Sequence, residues 1–234
     1  MARVGYLERV FRATEEENRR AILQALPEGR GGAMLDLGTH DGAFTVRVAE
    51  RLRAERVCGV EFIEAHADKA RTLGIRVHVG DLDAGLPYPD ESFDTVHSNQ
   101  VIEHVRFTDV FLTEIRRVLK PGGLACISTN NLASWHNVAA LAMGFQPFPM
   151  HVSDELTVGN PIHFDRGKPH PDRGRAHLRM FTGRALSELC AHHRLEQVRL
   201  RTVGYYPLPP RLARVATEVD RLHGAFLLGV FTPA

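Results

Sequence analysis

Two features of this chain point to an α/β architecture, a largely parallel sheet with helices on both faces. Short apolar runs bounded by Gly, Pro and Asp alternate with amphipathic segments of roughly ten residues or more, the pattern of repeated βαβ units. The composition is that of an ordinary globular domain, with 234 residues, 44% hydrophobic, 24% charged and a formal net charge of +1. That length suits a single domain with a sizeable core. A near-zero net charge argues against a dedicated polyanion binder. Cys58, Cys126 and Cys190 stand too far apart for a C-x-x-C motif. A disulfide scaffold or zinc ribbon is therefore not expected, and a reducing, cytoplasmic setting is.

The elements follow in order. Residues 1–28 read as an N-terminal helix, with Leu7, Val10, Phe11, Ile22, Leu23 and Leu26 at helical spacing and Glu15–Arg19 and Glu16–Arg20 as i,i+4 pairs on the wet side. This segment lacks the apolar stretch of an export signal, and nowhere does the chain reach the roughly 18 apolar residues of a membrane span. Pro27 and the Gly29–Gly32 run end the helix. Strands are expected at Ala33–Leu37, Arg56–Phe62, Ile75–Gly80, Phe93–Ser98 and Leu124–Thr129. Helices are expected at Ala43–Leu52, Ile63–Leu73 and Val101–Leu119, with a break at Pro121-Gly122-Gly123. Asn130 to Ala176 interrupts the rhythm apart from a short helix near Ser134–Met143, and an irregular segment this long is commonly a lid. The pattern resumes with a helix at Thr182–His193, a strand at Glu196–Val203, a helix at Leu212–Leu222 and a strand at Ala225–Phe231, making seven strands. One domain is expected. It has a core over 30–130, a substrate lid over 131–176 and the remainder of the sheet over 177–234.

In such sheets ligands bind beyond the carboxyl ends of the strands. There Leu35-Asp36-Leu37-Gly38-Thr39-His40-Asp41-Gly42 sets a carboxylate at a strand end before a Gly-bearing turn into a helix. Such a turn lets backbone approach a ligand and aims helix N–H groups at it. The spacing is neither that of a dinucleotide fold nor that of a phosphate loop. Glu61 ends the second strand, where an acid can accept both ribose hydroxyls. Asp81, followed by Leu82, ends the third, where a carboxylate can accept from an adenine amino group. Any one acid alone is better read as a helix N-cap, but three on successive strand tips are not readily explained that way.

With Gly59-Val60-Glu61, Gly80-Asp81-Leu82, Leu86–Asp94 and Arg117-Val118-Leu119-Lys120-Pro121-Gly122-Gly123, the chain resembles the class I S-adenosylmethionine-dependent methyltransferases over most of residues 30–130, particularly their quinone-biosynthesis-like branch. The resemblance implies a Rossmann-like fold whose last strand is antiparallel. It also implies S-adenosylmethionine as cofactor, with Asp36 and Gly38 at its methionine part, Glu61 at the ribose, Asp81 and the neighbouring Leu82 at the adenine, Asn99 near the sulfonium, and Thr39, Gly42 and Phe62 as further cofactor-binding residues. His40 stands where the family usually has Gly, so an altered turn is expected.

Gln100-Val101-Ile102-Glu103-His104, which would share one helix face, and His177–Thr182 resemble an arrangement that holds a divalent cation in related O-methyltransferases and small-RNA 2′-O-methyltransferases. The resemblance makes Glu103, His104 and His177 candidate ligands for an ion such as Mg²⁺. Gln100 replaces a carboxylate there and counts against the ion. Without it, His104 or His177 can serve as general base. Both histidines can equally be structural neighbours of helix ends.

Trp135, His136 and His163 are the candidate substrate contacts in the lid, though Trp135 and Phe145 suit a sealing role as well. The basic stretch with Arg166, Lys168, Arg173, Arg175, Arg179 and Arg184 against Asp165 and Asp172 is a solvated face or a receptor for an anionic acceptor. The function expected is methyl transfer to a small-molecule acceptor, preferably an oxygen and in specialised metabolism. The alternatives are an RNA 2′-O-methyltransferase, against which the lack of a basic or aromatic RNA-binding module weighs, and a non-catalytic cofactor-binding subunit. A small-molecule substrate is the expected partner, neither membrane nor nucleic acid is, and a homodimer stays open.

Overall fold

The computed structural model describes residues 5–153, 155–169 and 177–234. Seven strands form one sheet: β1 (Ala33–Leu37), β2 (Arg56–Glu61), β3 (Arg76–Val79), β4 (Phe93–Asn99), β5 (Leu119–Asn130), β6 (Leu195–Val203) and β7 (Phe226–Pro233). Their order across the sheet is β3-β2-β1-β4-β5-β7-β6. β1 to β5 pair in parallel, and β7 runs antiparallel between β5 and β6. The antiparallel last strand expected from the resemblance is present. Strand order reverses between β1 and β4, the position where ligands settle in such sheets.

Side-chain alternation splits the core in two. Leu35 and Leu37 of β1, Val96 of β4 and Ile127 of β5 pack with Phe111, Leu112 and Ile115 of α4 (Thr108–Val118) and Leu186 of α6 (Gly183–His192). On the other face Met34 and Cys126 pack with Ile22 of α1 (Tyr6–Ala25) and Val48 of α2 (Ala43–Leu52). Asp36, two residues beyond Met34, and His97, its register partner on β4, take the α1/α2 side by the same alternation. α3 (Glu64–Thr72) links β2 to β3, and α5 (Trp135–Ala142) and α7 (Pro210–Val219) complete the helices of the described residues. Cys58, Cys126 and Cys190 are buried free thiols. No described helix is long and apolar enough to cross a membrane.

Several boundaries differ from the sequence pattern. The expected helix Val101–Leu119 begins only at Thr108, because Gln100 takes a left-handed backbone (φ 58°) and residues 101–107 form turns. Gln100, Glu103 and His104 therefore do not share a helix face. β5 begins at Leu119 and runs through Pro121-Gly122-Gly123, so those residues lie inside a strand, and the register shifts opposite them between Phe93 and Thr95. β2 ends at Glu61, which places Phe62 in the following turn. Glu15, expected on the wet side of α1, instead faces the cavity described next.

Candidate active site

A cavity of about 740 Å³ opens at the carboxyl ends of β1 to β4. Asp36, Glu61 and Asp81 all line it, together with Gly38, Thr39, Phe62, Leu82 and Asn99. The βα turn after β1 is shaped by left-handed residues. Gly38 (φ 76°) passes so close to Val101 that an added Cβ would lie 2.5 Å from Val101 Cγ2. Gly42 (φ 81°) caps α2 and is not among the lining residues. A Cβ there would strike Ala70 and Ile75, so this glycine serves the packing of α3 against the turn.

Each carboxylate is held differently. Asp36 is buried, with Oδ1 2.7 Å from His97 Nδ1 and Oδ2 accepting from the Thr45 hydroxyl. Glu61 accepts backbone N–H groups from His40 and Ile63, at 2.8 and 2.9 Å. Asp81 caps the 3₁₀ turn 82–84, accepting from the Asp83 N–H, and lines the cavity at the same time, so both readings of this acid hold. His40 keeps the left-handed backbone (φ 51°) that favours a glycine. Its imidazole stacks on His66, with centroids 4.1 Å apart.

Residues that the motifs did not single out complete the walls. Asn18 of α1 donates to Asn99 Oδ1 at 3.0 Å and accepts from the Ser128 hydroxyl at 3.1 Å. This commits the Asn99 oxygen and leaves its amide N–H donors for a ligand. Glu15, Arg19, Phe44, Thr45 and His97 also line the cavity. Burial raises the Glu15 carboxyl above its usual value, against the pull of Arg19 and Arg12. One available signal was polar His97 within an otherwise buried parallel strand.

At the far end Gln100, Val101, His104, Val105, Arg106 and Leu178 close the cavity. Asp83 accepts from the Arg106 and Phe107 N–H groups and so fastens this loop to the 3₁₀ turn. Gln100 Nε2 is buried without a hydrogen-bond partner. Glu103, His104 and His177 come together, with one potential ligand atom from each within 4.8 Å of the others. Among the three only His104 lines the cavity. His177 packs behind it, with ring centroids 4.6 Å apart, and stacks on His151 at 5.1 Å. His177 Nδ1–H donates to the Pro149 carbonyl at 2.5 Å, which leaves Nε2 with the lone pair.

Glu103 is fully buried, and burial pushes its carboxyl up to about 7. It accepts from Thr129 Oγ1 and Asn130 Nδ2, one on each oxygen. Two imidazoles and one buried carboxylate already engaged by Thr129 and Asn130 are a poor set for Mg²⁺, which seeks oxygen ligands. The residues present do not fit that ion.

Trp135, His136 and His163 are not among the lining residues, a correction to the expected substrate contacts. Trp135 donates to Asp220 at 2.7 Å and stacks on His223. His136 packs edge-on against Phe148 and Tyr206, where burial lowers its imidazole to about 4. His163 stacks between Phe148 and Phe164. Phe164 in turn meets Phe11 of α1, so this segment is anchored on the N-terminal helix. No described residue of 131–169 lines the cavity. Of the basic stretch, Lys168 pairs with Asp165, Arg179 donates to the Val105 carbonyl and Arg184 lies near Glu188. Asp172, Arg173 and Arg175 lie outside the described residues.

Comparison with known proteins agrees with this geometry. Residues 35–127 match the family model described as a methyltransferase domain. A probable S-adenosylmethionine-dependent methyltransferase of Mycolicibacterium smegmatis is 39% identical over 103 residues, 43% of this chain and 39% of that protein. A ubiquinone biosynthesis O-methyltransferase of Sinorhizobium medicae is 34% identical over 43% of this chain and 42% of its own length. The chain thus matches about two fifths of either relative. Among solved structures, a methyltransferase from Haloferax volcanii, solved with the Trm112 activator, superposes with a TM-score of 0.66 at 17% identity, covering 100% of this chain and 99% of that one. A possible histamine N-methyltransferase from Thermotoga maritima gives 0.62 at 23% identity, covering 95% and 90%. These two share the fold. Over residues 35–127, less than half of its length, the chain is thus similar to a methyltransferase domain.

Proposed function

We propose that the protein transfers a methyl group from S-adenosylmethionine to a small-molecule acceptor, and that the accepting atom is an oxygen. One observation carries this reading: a single cavity has the carboxylates of three successive strand tips at one end and His104 at the other. Its volume lies in the range of small-ligand pockets. An oxygen acceptor is supported by the likeness to the ubiquinone O-methyltransferase.

The cofactor supplies, when bound, a sulfonium methyl that needs no further activation. The chain's own part is to bind, orient and move one proton. Glu61 and Asp81 offer acceptors to the nucleoside, and Leu82 and Phe62 give it apolar walls. Positioning of this kind can lower a barrier by about 7–11 kcal/mol in favourable cases. At the other end Gln100 Nε2 and the Asn99 amide present donors that orient the acceptor. His104 takes the hydroxyl proton as the acceptor oxygen becomes nucleophilic. His177, fixed by Pro149, holds the His104 ring from behind.

The test is titration calorimetry with S-adenosylmethionine and S-adenosylhomocysteine, followed by methyl-transfer assays on hydroxylated small molecules and on RNA, with and without chelator. Binding of both nucleosides and chelator-insensitive transfer to a small hydroxyl compound is the expected result. A folded protein that binds neither nucleoside overturns the reading, and transfer confined to RNA replaces the acceptor class.

A further inference from the structure

His97 sits in the interior of the sheet, 2% exposed, between buried Val96 and Ser98 on β4. Its Nδ1 lies 2.7 Å from Asp36 Oδ1, and a carboxylate accepts, so Nδ1 carries the proton, and in the neutral imidazole Nε2 holds the lone pair. Thr45 satisfies the other Asp36 oxygen and leaves the carboxylate no freedom to turn away. His97 Nε2 is buried and has no hydrogen-bond partner, and the residue lines the cavity. A buried polar atom left unmet is destabilising, and one retained on a cavity wall calls for a partner from the cavity.

The position of this atom indicates the partner. Glu61 and Asp81, on β2 and β3, stand at the nucleoside end, while Asp36 and His97 are register partners on β1 and β4, across the reversal of strand order. A ligand lying along the strand tips with its nucleoside over β2 and β3 brings its other end over β1 and β4. An imidazole lone pair backed by a carboxylate is an acceptor suited to a cationic donor. The amino-acid end of the methyl donor carries a primary ammonium.

We propose that His97 Nε2, with Asp36 behind it, receives that ammonium, and that the pair makes the site selective for a complete amino-acid thioether over a truncated nucleoside. This rests on the methyl-donor reading given above. His97 is then a cofactor-binding residue in addition to being a tie between β1 and β4.

The experiment is titration of the full chain with three ligands: S-adenosylhomocysteine, its analogue lacking only the amino group, and 5′-methylthioadenosine. Wild type is compared with His97→Asn, whose amide can still donate to Asp36 while the Nε2 acceptor is gone. Wild type is expected to bind S-adenosylhomocysteine about 10- to 100-fold more tightly than the deaminated analogue, the range for a hydrogen bond to a charged group. In His97→Asn that preference collapses, while the 5′-methylthioadenosine affinity stays within about twofold. If the variant does not fold, the wild-type comparison decides, and equal affinity for S-adenosylhomocysteine and its deaminated analogue overturns the proposal. A folded variant that keeps the preference, or that weakens all three ligands equally, overturns it as well and reduces His97 to a structural tie. A wild-type chain that binds none of the three brings down the methyl-donor reading together with this one.

Discussion

At the β1–β3 end of the cavity the chemistry-bearing residues come from strand tips or the turns directly after them. At the other end the walls come from an irregular loop at 100–106, from α1 and from Leu178. The first end is tied down by backbone N–H donors to Glu61 and by the buried Asp36–His97–Thr45 set. The second depends on longer-range contacts, with His177 reaching Pro149 and Asp83 reaching the N–H groups of Arg106 and Phe107. A rigid strand tip fixes where a ligand lies, and loops are where acceptor preference varies within one fold. The contrast predicts that cofactor affinity and turnover can be damaged separately.

The largest effect is expected at the loop end. His104→Ala should lower kcat about 10²- to 10⁴-fold, the usual worth of a general base, with cofactor affinity nearly unchanged. Steady-state kinetics combined with calorimetry reads both, and a matching fall in cofactor affinity would merge the two ends into one unit. Glu61→Ala should do the reverse. Losing two hydrogen bonds to a carboxylate is expected to weaken S-adenosylhomocysteine about 100-fold, with kcat at saturating cofactor within a few-fold of wild type. A kcat that collapses at saturation would show that the strand-tip end also sets the chemistry.

A third prediction concerns the segment packed over α1. The His136 imidazole is lowered from 6.5 to about 4 by burial, so the fold favours its neutral form. The stability this represents is complete above pH 6.5 and is lost as the pH falls from 6.5 towards 4. Between about pH 7.5 and about pH 4.5 the loss should be roughly 2 kcal/mol in urea unfolding, allowing for partial exposure of the ring, and His136→Phe should lack that component. A variant with the same pH profile as wild type would place His136 in solvent. The smallest effect belongs to Trp135→Ala, which removes the bond to Asp220 but no cavity wall. Cofactor Kd and acceptor KM should stay within about twofold, with about 1 kcal/mol of stability lost. A large rise in KM would return Trp135 to the acceptor site.

The legibility of the site in the sequence follows the same division. Asp36, Glu61 and Asp81 could be placed because strand ends are marked locally by apolar runs and by Gly or acidic residues, and the sheet then gathers those ends. The seven strands were legible for the same reason. The start of α4 was not, because the apolar pattern of Val101–Leu119 cannot register the left-handed backbone at Gln100 that delays the helix to Thr108. The Pro121-Gly122-Gly123 sequence reads as a break, yet β5 pairs with β4 on either side of it, at Leu119 and from Leu124 onward. Trp135, His136 and His163 have the residue types of a substrate pocket. Tertiary packing against Asp220, Phe148 and Tyr206 gives them other work. Asn18 could not be found locally, since its partners Asn99 and Ser128 lie 81 and 110 positions away, and His97, a polar residue in a buried strand, could not be matched locally to Asp36, 61 positions away.

Asn18 makes the first helix a gatekeeper. It reaches from α1 to the tips of β4 and β5 in one amide, and its neighbours Glu15 and Arg19 form part of the same wall. A shortened form of the protein that started at Ala33 would lose Ile22 and Leu26 from one core face and leave the cavity open to water on one flank. Control exerted on the N-terminus, whether by cleavage or by a protein that grips α1, would therefore reach the cavity wall directly.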